Sequence, residues 1–207
     1  YFVAWIAPKR DWPEQPAVHR SLNLVLDTSG SMAGEKIVQA RAAVRAFLQS
    51  LSPGDWFNIV PFSTDARPFF PMPVRADKEN LANALAQIDQ LEARGGTNIG
   101  DALQFALAHG LPSSPVDGQL VPITIFLTDG LPTVGTTDVD ALLATARTGN
   151  TGKTRLFAFG VGHDVNTRLL DTLAAESRGD RDYVLPGENI EAKTSSLYRK
   201  LSGPVMT

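Results

Sequence analysis

Cysteine is absent from the 207 residues of this sequence. The missing thiols exclude disulfide bonds, zinc–thiolate centres and cysteine nucleophiles, although they do not fix the cellular compartment. No uninterrupted apolar run approaches the roughly 20 residues that a bilayer-spanning helix needs, so we expect no membrane insertion in this segment. Basic residues never form a block, and the net charge is −3, so the sequence gives no indication of nucleic-acid binding.

What is present is the composition of a globular protein. Hydrophobic residues make up 43% and charged residues 20% of the chain, the balance expected of a domain with a buried core. The length fits one large domain or one domain with extensions. Because the chain begins at Tyr1, with neither a methionine nor a signal peptide, we expect it to be part of a longer protein.

Segments with strand-like and helix-like patterns alternate along the chain. Short apolar runs predict strands at 22–26, 56–62, 67–70, 121–127, 155–161 and 182–185, of which 67–70 is expected to be an antiparallel edge. Apolar residues at helical spacing predict helices at 34–51, 77–91, 99–107, 138–148, 166–176 and 188–202. Strands that alternate with helices predict an α/β fold, with an open parallel sheet and helices on both faces.

Residues 1–20 leave two interpretations open. Apolar residues on both faces of the segment YFVAWI suggest a short strand, and Pro8, Pro13 and Pro16 then interrupt regular structure. The segment is either an edge strand or a joint to a preceding domain.

The stretch DTSGSM, residues 27–32, is the strongest candidate for a functional site. It follows a buried strand and precedes a helix, which is where α/β proteins place ligands. Asp27, Ser29 and Ser31 occupy alternate positions, so their oxygens point the same way, and hard oxygens suit Mg²⁺, Mn²⁺ or Ca²⁺. The alternative is that Asp27 and Ser29 only cap the following helix.

Two further loops carry oxygen ligands at strand–helix junctions. Thr97 lies in the segment GGTN, and Asp129 lies in the segment TDG directly after the most apolar strand. Asp129 should therefore stand at the same edge of the sheet as Asp27, and the glycines before Thr97 permit its loop to approach closely. Met32 and Leu131 follow these loops and are candidates for an apolar rim around the site.

Together these motifs resemble the metal-ion-dependent adhesion site, or MIDAS, of von Willebrand factor type A (VWA) domains. Longer segments, among them LVLDTSGSMAGEKI, LSPGDWFNIVPFS and IFLTDGLPTVG, resemble the VWA domains of inter-alpha-trypsin inhibitor heavy chains and bacterial VIT/VWA proteins. The resemblance covers about residues 1–205. It implies a Rossmann-like, doubly wound, six-stranded sheet in the order 3-2-1-4-5-6, with one antiparallel edge and helices on both faces.

The same resemblance implies a division of the chain and a role for each site residue. Residues 1–20 would lead from a preceding VIT domain, 21–203 would form the VWA domain, and 204–207 would begin the following segment. Ser29, Ser31 and Thr97 would contact Mg²⁺, or Mn²⁺ or Ca²⁺, when a ligand is bound, with Asp27 and Asp129 acting largely through water. The ligand would be an aspartate or glutamate of a partner protein, in an extracellular, cell-surface or periplasmic setting.

Other functions predict different features. A Mg²⁺-dependent hydrolase is disfavoured, because the sequence has no Walker motif, no GxSxG elbow and no second acid pair beside Asp27. We therefore expect no enzymatic activity. A structural scaffold, stabilised by metal within a larger exported protein, remains the principal alternative. The three histidines, His19, His109 and His163, lack partners at ligand spacing and are expected to be structural or superficial.

Overall fold

The computed structural model describes residues 18–112, 119–151, 154–185, 187–188, 193 and 196–197. In this part of the chain the strands are β1 Val18–Asp27, β2 Trp56–Phe62, β3 Val74–Arg75, β4 Gln119–Thr128, β5 Arg155–Val161 and β6 Arg181–Val184. The helices are α1 Glu35–Ser50, α2 Lys78–Ile88, α3 Ile99–Ala108, α4 Val139–Gly149 and α5 Thr167–Glu176. A single 3-10 turn, Gly30–Met32, lies between β1 and α1.

The strands form one sheet in the order β3-β2-β1-β4-β5-β6, which is the order that the family resemblance implied. All neighbouring strands are parallel except β2 and β3, which are antiparallel. β1 lies at the centre, paired to β2 on one side and β4 on the other. This position explains why its last seven residues, 21–27, are all buried.

The position predicted for the third strand is wrong. The sequence pattern favoured 67–70, whereas the antiparallel edge strand is Val74–Arg75. Residues 67–70 do run beside β2, where Arg67 N donates a hydrogen bond of 2.9 Å to Pro61 O. Phe69 N likewise donates to Ile59 O at 2.9 Å. No regular ladder forms, because Pro61 has no N–H to return a bond and Ile59 N donates to Asn58 Oδ1 instead.

Helices cover both faces of the sheet. On one face α1 and α2 pack against alternate strand residues such as Leu24 and Phe57. On the other face α3, α4 and α5 pack against residues such as Val25 and Phe126. This two-sided burial fixes the register of β1, because shifting it by one residue would exchange the two faces.

Several predictions lie outside the described residues. They include the strand or joint at 1–17, most of the last helix at 188–202, and the segment 204–207. Leu197, which is described, is buried and belongs to the core on the α1 side. In the described ranges, no helix has the length and the apolar character that crossing a membrane requires.

Candidate functional site

Three loops meet at the carboxyl end of the sheet, beyond β1 and β4. The loop after β1 contacts the loop before α3 through two backbone hydrogen bonds, from Gly30 N to Gly95 O at 3.0 Å and from Arg94 N to Thr28 O at 2.8 Å. Gly95 has a φ of +85°, which a side chain rarely permits. The approach is close, since a Cβ on Gly30 would lie 3.4 Å from Gly95 O.

A chain of hydrogen bonds joins the predicted ligands of the first and third loops. Ser29 Oγ lies 3.0 Å from Ser31 Oγ, and Ser31 Oγ donates to Asp129 Oδ1 at 2.8 Å. Asp27 joins the chain because its Oδ1 accepts a hydrogen bond of 2.8 Å from Ser29 N. Four of the five predicted site residues therefore form one connected group.

Thr97 is held in the same region by its backbone. Its N–H donates to Thr133 Oγ1 at 2.8 Å, and its carbonyl oxygen accepts bonds from Thr133 N and Val134 N at 2.9 and 3.2 Å. Thr133 and Val134 belong to the loop that follows Asp129. The residue is thus fixed between the other two loops, and it is only 3% exposed.

The helix-capping alternative is not what the structure has. The helix α1 begins at Glu35 with Gly34 as its N-cap, and no side-chain hydrogen bond caps it. The 3-10 turn after Ser29 likewise has no side-chain cap. By contrast, Asp77, Asn98, Asp138 and Asn166 do cap the helices that follow them. The polar residues of DTSGSM are therefore free of the ordinary helix-capping role.

Burial sets the electrostatics of the site. Asp27 and Asp129 are 0% and 1% exposed, whereas Ser31 is exposed. Burial raises the pKa of Asp27 above its ordinary value of 3.8, and the charge of Asp129 adds to this, while hydrogen bonds from Ser29 and Thr128 oppose it. Two carboxylates so deeply buried and so close together favour a nearby cation.

Two residues of the site were missed in the sequence analysis. Thr128 Oγ1 donates to Asp27 Oδ2 at 2.6 Å, and Lys36 Nζ lies 2.5 Å from Asp129 Oδ2. Thr128 could have been found as a hydroxyl at the end of the most apolar strand, directly before Asp129. Lys36 carries no comparable signal, because a lysine in the first turn of a helix is ordinary on a solvated face.

The donor set fits a hard divalent cation. It consists of carboxylate and hydroxyl oxygens, which Mg²⁺, Mn²⁺ and Ca²⁺ prefer over softer metals. Among the residues that the structure describes, no three His, Asp or Glu side chains converge as a metal cluster. A cation here would therefore meet two carboxylates and, for the rest, neutral hydroxyls.

The remaining candidates are partly corrected. Met32 does not rim the site, because it is fully buried in the core between the sheet and α1, whereas Leu131 is 57% exposed. Met32 follows the loop in a 3-10 turn that directs its side chain inward. His109 stacks on Phe105 with ring centroids 4.3 Å apart, a structural role as expected.

Comparisons with known protein families agree with this architecture. The family described as von Willebrand factor type A domain matches residues 20–182. Over its full length the chain is 35% identical to human inter-alpha-trypsin inhibitor heavy chain H4 and 28% identical to human heavy chain H3. The chain spans only 22% and 23% of those two proteins, about a fifth of their length.

Solved structures share the fold at lower sequence identity. A von Willebrand factor type A protein from Catenulispora acidiphila superposes with a TM-score of 0.71 at 24% identity, covering 89% of this chain and 42% of that one. The pilus adhesin SpaC from Lactobacillus rhamnosus GG gives a TM-score of 0.70 at 15% identity, covering 90% and 30%. At such identities these two likenesses concern the fold alone.

Proposed function

The chain belongs to the von Willebrand factor type A domain family, and from that premise we propose that it is a divalent-metal-dependent protein-interaction module. Asp27, Ser29, Ser31, Thr97 and Asp129 form its metal site. The ion is Mg²⁺, with Mn²⁺ or Ca²⁺ as substitutes. The partner supplies an aspartate or glutamate carboxylate to the ion.

The observation that carries the proposal is the hydrogen-bonded series from buried Asp27 to Asp129, through Ser29 and the exposed Ser31. Hard oxygens are gathered at one edge of the sheet, and the series reaches solvent at a hydroxyl. Hydroxyls in direct contact with a dication carry no charge, so the ion would stay electrophilic toward an outside carboxylate even with Asp27 and Asp129 nearby.

The surroundings support a protein partner. Beside Thr28 and Gly95 lies an open cleft of about 560 Å³, in which Arg67 is paired with Asp65 and Arg94 with Glu92. Leu131 is exposed on the loop that follows Asp129. A mixed polar and apolar surface next to the site is suited to contact with a protein partner.

Binding is a better account of the site than catalysis. The hydrogen-bond series contains no histidine, and both of its acids are buried, with Lys36 paired to Asp129. A general base needs a free acceptor within reach of a substrate proton. A hydrolase would instead show turnover that depends on both Mg²⁺ and Asp27.

The setting is also part of the proposal. The likeness to inter-alpha-trypsin inhibitor heavy chains supports a location outside the cell, on its surface or in the periplasm. The flanking domains of the same protein would then present this edge of the sheet to the partner.

The test is a calorimetric titration of metal-stripped protein with Mg²⁺ and Mn²⁺, with and without acetate as a model carboxylate. We expect one site in the unaltered protein, tighter binding in acetate, and at least about tenfold weaker binding after Ser31→Ala. Thr137→Ala is the control, because Thr137 is an exposed threonine in the loop after β4. Absence of a site under every condition would refute the proposal.

The acetate arm of this titration separates an interaction module from the alternative, a structural scaffold. A scaffold that binds metal only for stability would gain melting temperature from Mg²⁺ but no metal affinity from acetate. An interaction module gains both, since the carboxylate completes the coordination of the ion.

A further inference from the structure

Lys36 forms an ion pair inside the site. Its ammonium group lies 2.5 Å from Asp129 Oδ2, and the side chains of Lys36 and Asp129 are 26% and 1% exposed. The other oxygen, Oδ1, accepts the hydrogen bond from Ser31. The two oxygens of Asp129 thus have different partners, the hydroxyls on one side and a fixed positive charge on the other.

The position of Lys36 is fixed by a second element. Its side chain passes over Gly162, directly after β5, so that a Cβ there would lie 2.9 Å from Lys36 Cε and 3.3 Å from Nζ. The absence of a side chain at Gly162 therefore leaves the space that the lysine fills. Lys36 is the second residue of α1, and its side chain reaches Asp129 across the end of β5.

Lys36 sets the net charge of the site when a dication is bound. Ionised Asp27 and Asp129 balance a dication, and the ammonium of Lys36 then leaves one positive charge in excess. A ligand carboxylate removes that excess. Without Lys36 the metal-bound site would already be neutral, and the same carboxylate would make it negative.

We infer that Lys36 makes metal retention depend on the ligand carboxylate. Its charge weakens binding of the metal alone and favours the state that holds metal and carboxylate together. The inference rests on the proposed function and assigns a regulatory residue to the same site. Lys36 acts by holding Asp129 and by its positive charge, so it is a positioning residue rather than a metal ligand.

A purely structural role predicts the opposite result. If the lysine only holds Asp129 in place, then its removal frees the carboxylate and weakens metal binding. The two roles can be separated with two neutral variants. Lys36→Gln keeps an N–H donor for Asp129 Oδ2 but removes the charge, whereas Lys36→Met removes both.

The experiment is a Mg²⁺ titration of metal-stripped protein at fixed pH, without carboxylate and then in acetate. We expect both neutral variants to bind Mg²⁺ about tenfold more tightly without acetate, because a full charge beside a dication is worth at least that factor. The gain in affinity that acetate gives the unaltered protein should shrink in both. Lys36→Arg should behave like the unaltered protein.

The control for net charge is Lys78→Met. Lys78 begins α2, shortly after β3. Because Arg75 of β3 pairs with Trp56 at the start of β2, Lys78 lies near the amino end of β2, away from the site at the carboxyl end of the sheet. Unchanged or weaker Mg²⁺ binding in both neutral variants, with the acetate gain intact, would overturn the inference alone. Absence of Mg²⁺ binding in the unaltered protein, with or without acetate, would refute the proposed function and the inference with it.

Discussion

Replacing Asp27 by asparagine should abolish the stabilisation by metal and should stabilise the metal-free protein. The substitution preserves the local hydrogen bonds, because an amide oxygen can accept from Ser29 N and an amide nitrogen can donate to Thr128 Oγ1, which now donates to Oδ2. It removes only the buried charge. We expect the metal-free variant to be more stable at pH 7 than the metal-free unaltered protein.

The sign of this effect follows from the pKa. Burial raises the pKa of Asp27 above 3.8, so the ionised carboxylate is less favourable in the folded than in the unfolded chain. The resulting destabilisation is absent below about pH 3.8 and complete once the pH exceeds the raised folded-state pKa. The advantage of Asp27→Asn should therefore be present at pH 7 and disappear towards pH 3.8.

The metal adds a second, opposite effect. At a free concentration 100 times its dissociation constant, a ligand stabilises the folded protein by about 2.7 kcal/mol. For a domain of this size that corresponds to a rise of about 5–11 °C in melting temperature. The unaltered protein should show this rise with Mg²⁺, and Asp27→Asn should show none.

The assay is thermal unfolding by circular dichroism, with Mg²⁺ and with chelator. Asp55→Asn is the control. Asp55 is a buried aspartate that also accepts two hydrogen bonds, from Arg20 N and Ser52 N, but it precedes β2 and so lies at the end of the sheet away from the site. A metal-free Asp27→Asn variant less stable than the unaltered protein would mean that Asp27 is a structural carboxylate. A retained Mg²⁺ effect would exclude it from the metal site.

The remaining predictions concern the core and a surface ion pair. Phe126→Ala removes a fully buried ring that packs 5.4 Å from Phe62, so urea unfolding should show a loss of about 3–5 kcal/mol, with Mg²⁺ affinity in the folded variant unchanged. Arg147 lowers the pKa of Glu176 by a hydrogen bond, so this pair contributes stability above pH 4.5 that is lost as the pH falls through the lowered value. Exposed ion pairs contribute little, and both side chains of this pair are exposed. Glu176→Gln should therefore reduce only slightly the loss of unfolding free energy that the whole protein shows on acidification, as measured by urea unfolding at several pH values.

The α/β class and the positions of most strands could be predicted from local patterns, whereas the strand order and the roles of the site residues were implied by the family resemblance. The continuous apolar runs at 22–26 and 121–127 could be stable only as strands covered on both faces, and β1 and β4 are such strands. Once these strands are parallel neighbours, their carboxyl ends bring Asp27 and Asp129 to one edge. The edge strand was misplaced because hydrophobicity does not show which N–H groups of β2 are free to pair. Pro61 has none, and Ile59 N is taken by Asn58 Oδ1.

The role of Lys36 could not be predicted, because it depends on distance in space rather than on sequence. Asp129 is 93 residues away along the chain, and Lys36 reaches it only because the end of β5 presents Gly162 beneath its side chain. A ligand pattern such as DxSxS identifies the groups that face an ion, but not the charges behind them. Those charges decide whether the site holds metal alone or only together with a carboxylate, so sites with the same five residues can differ in behaviour.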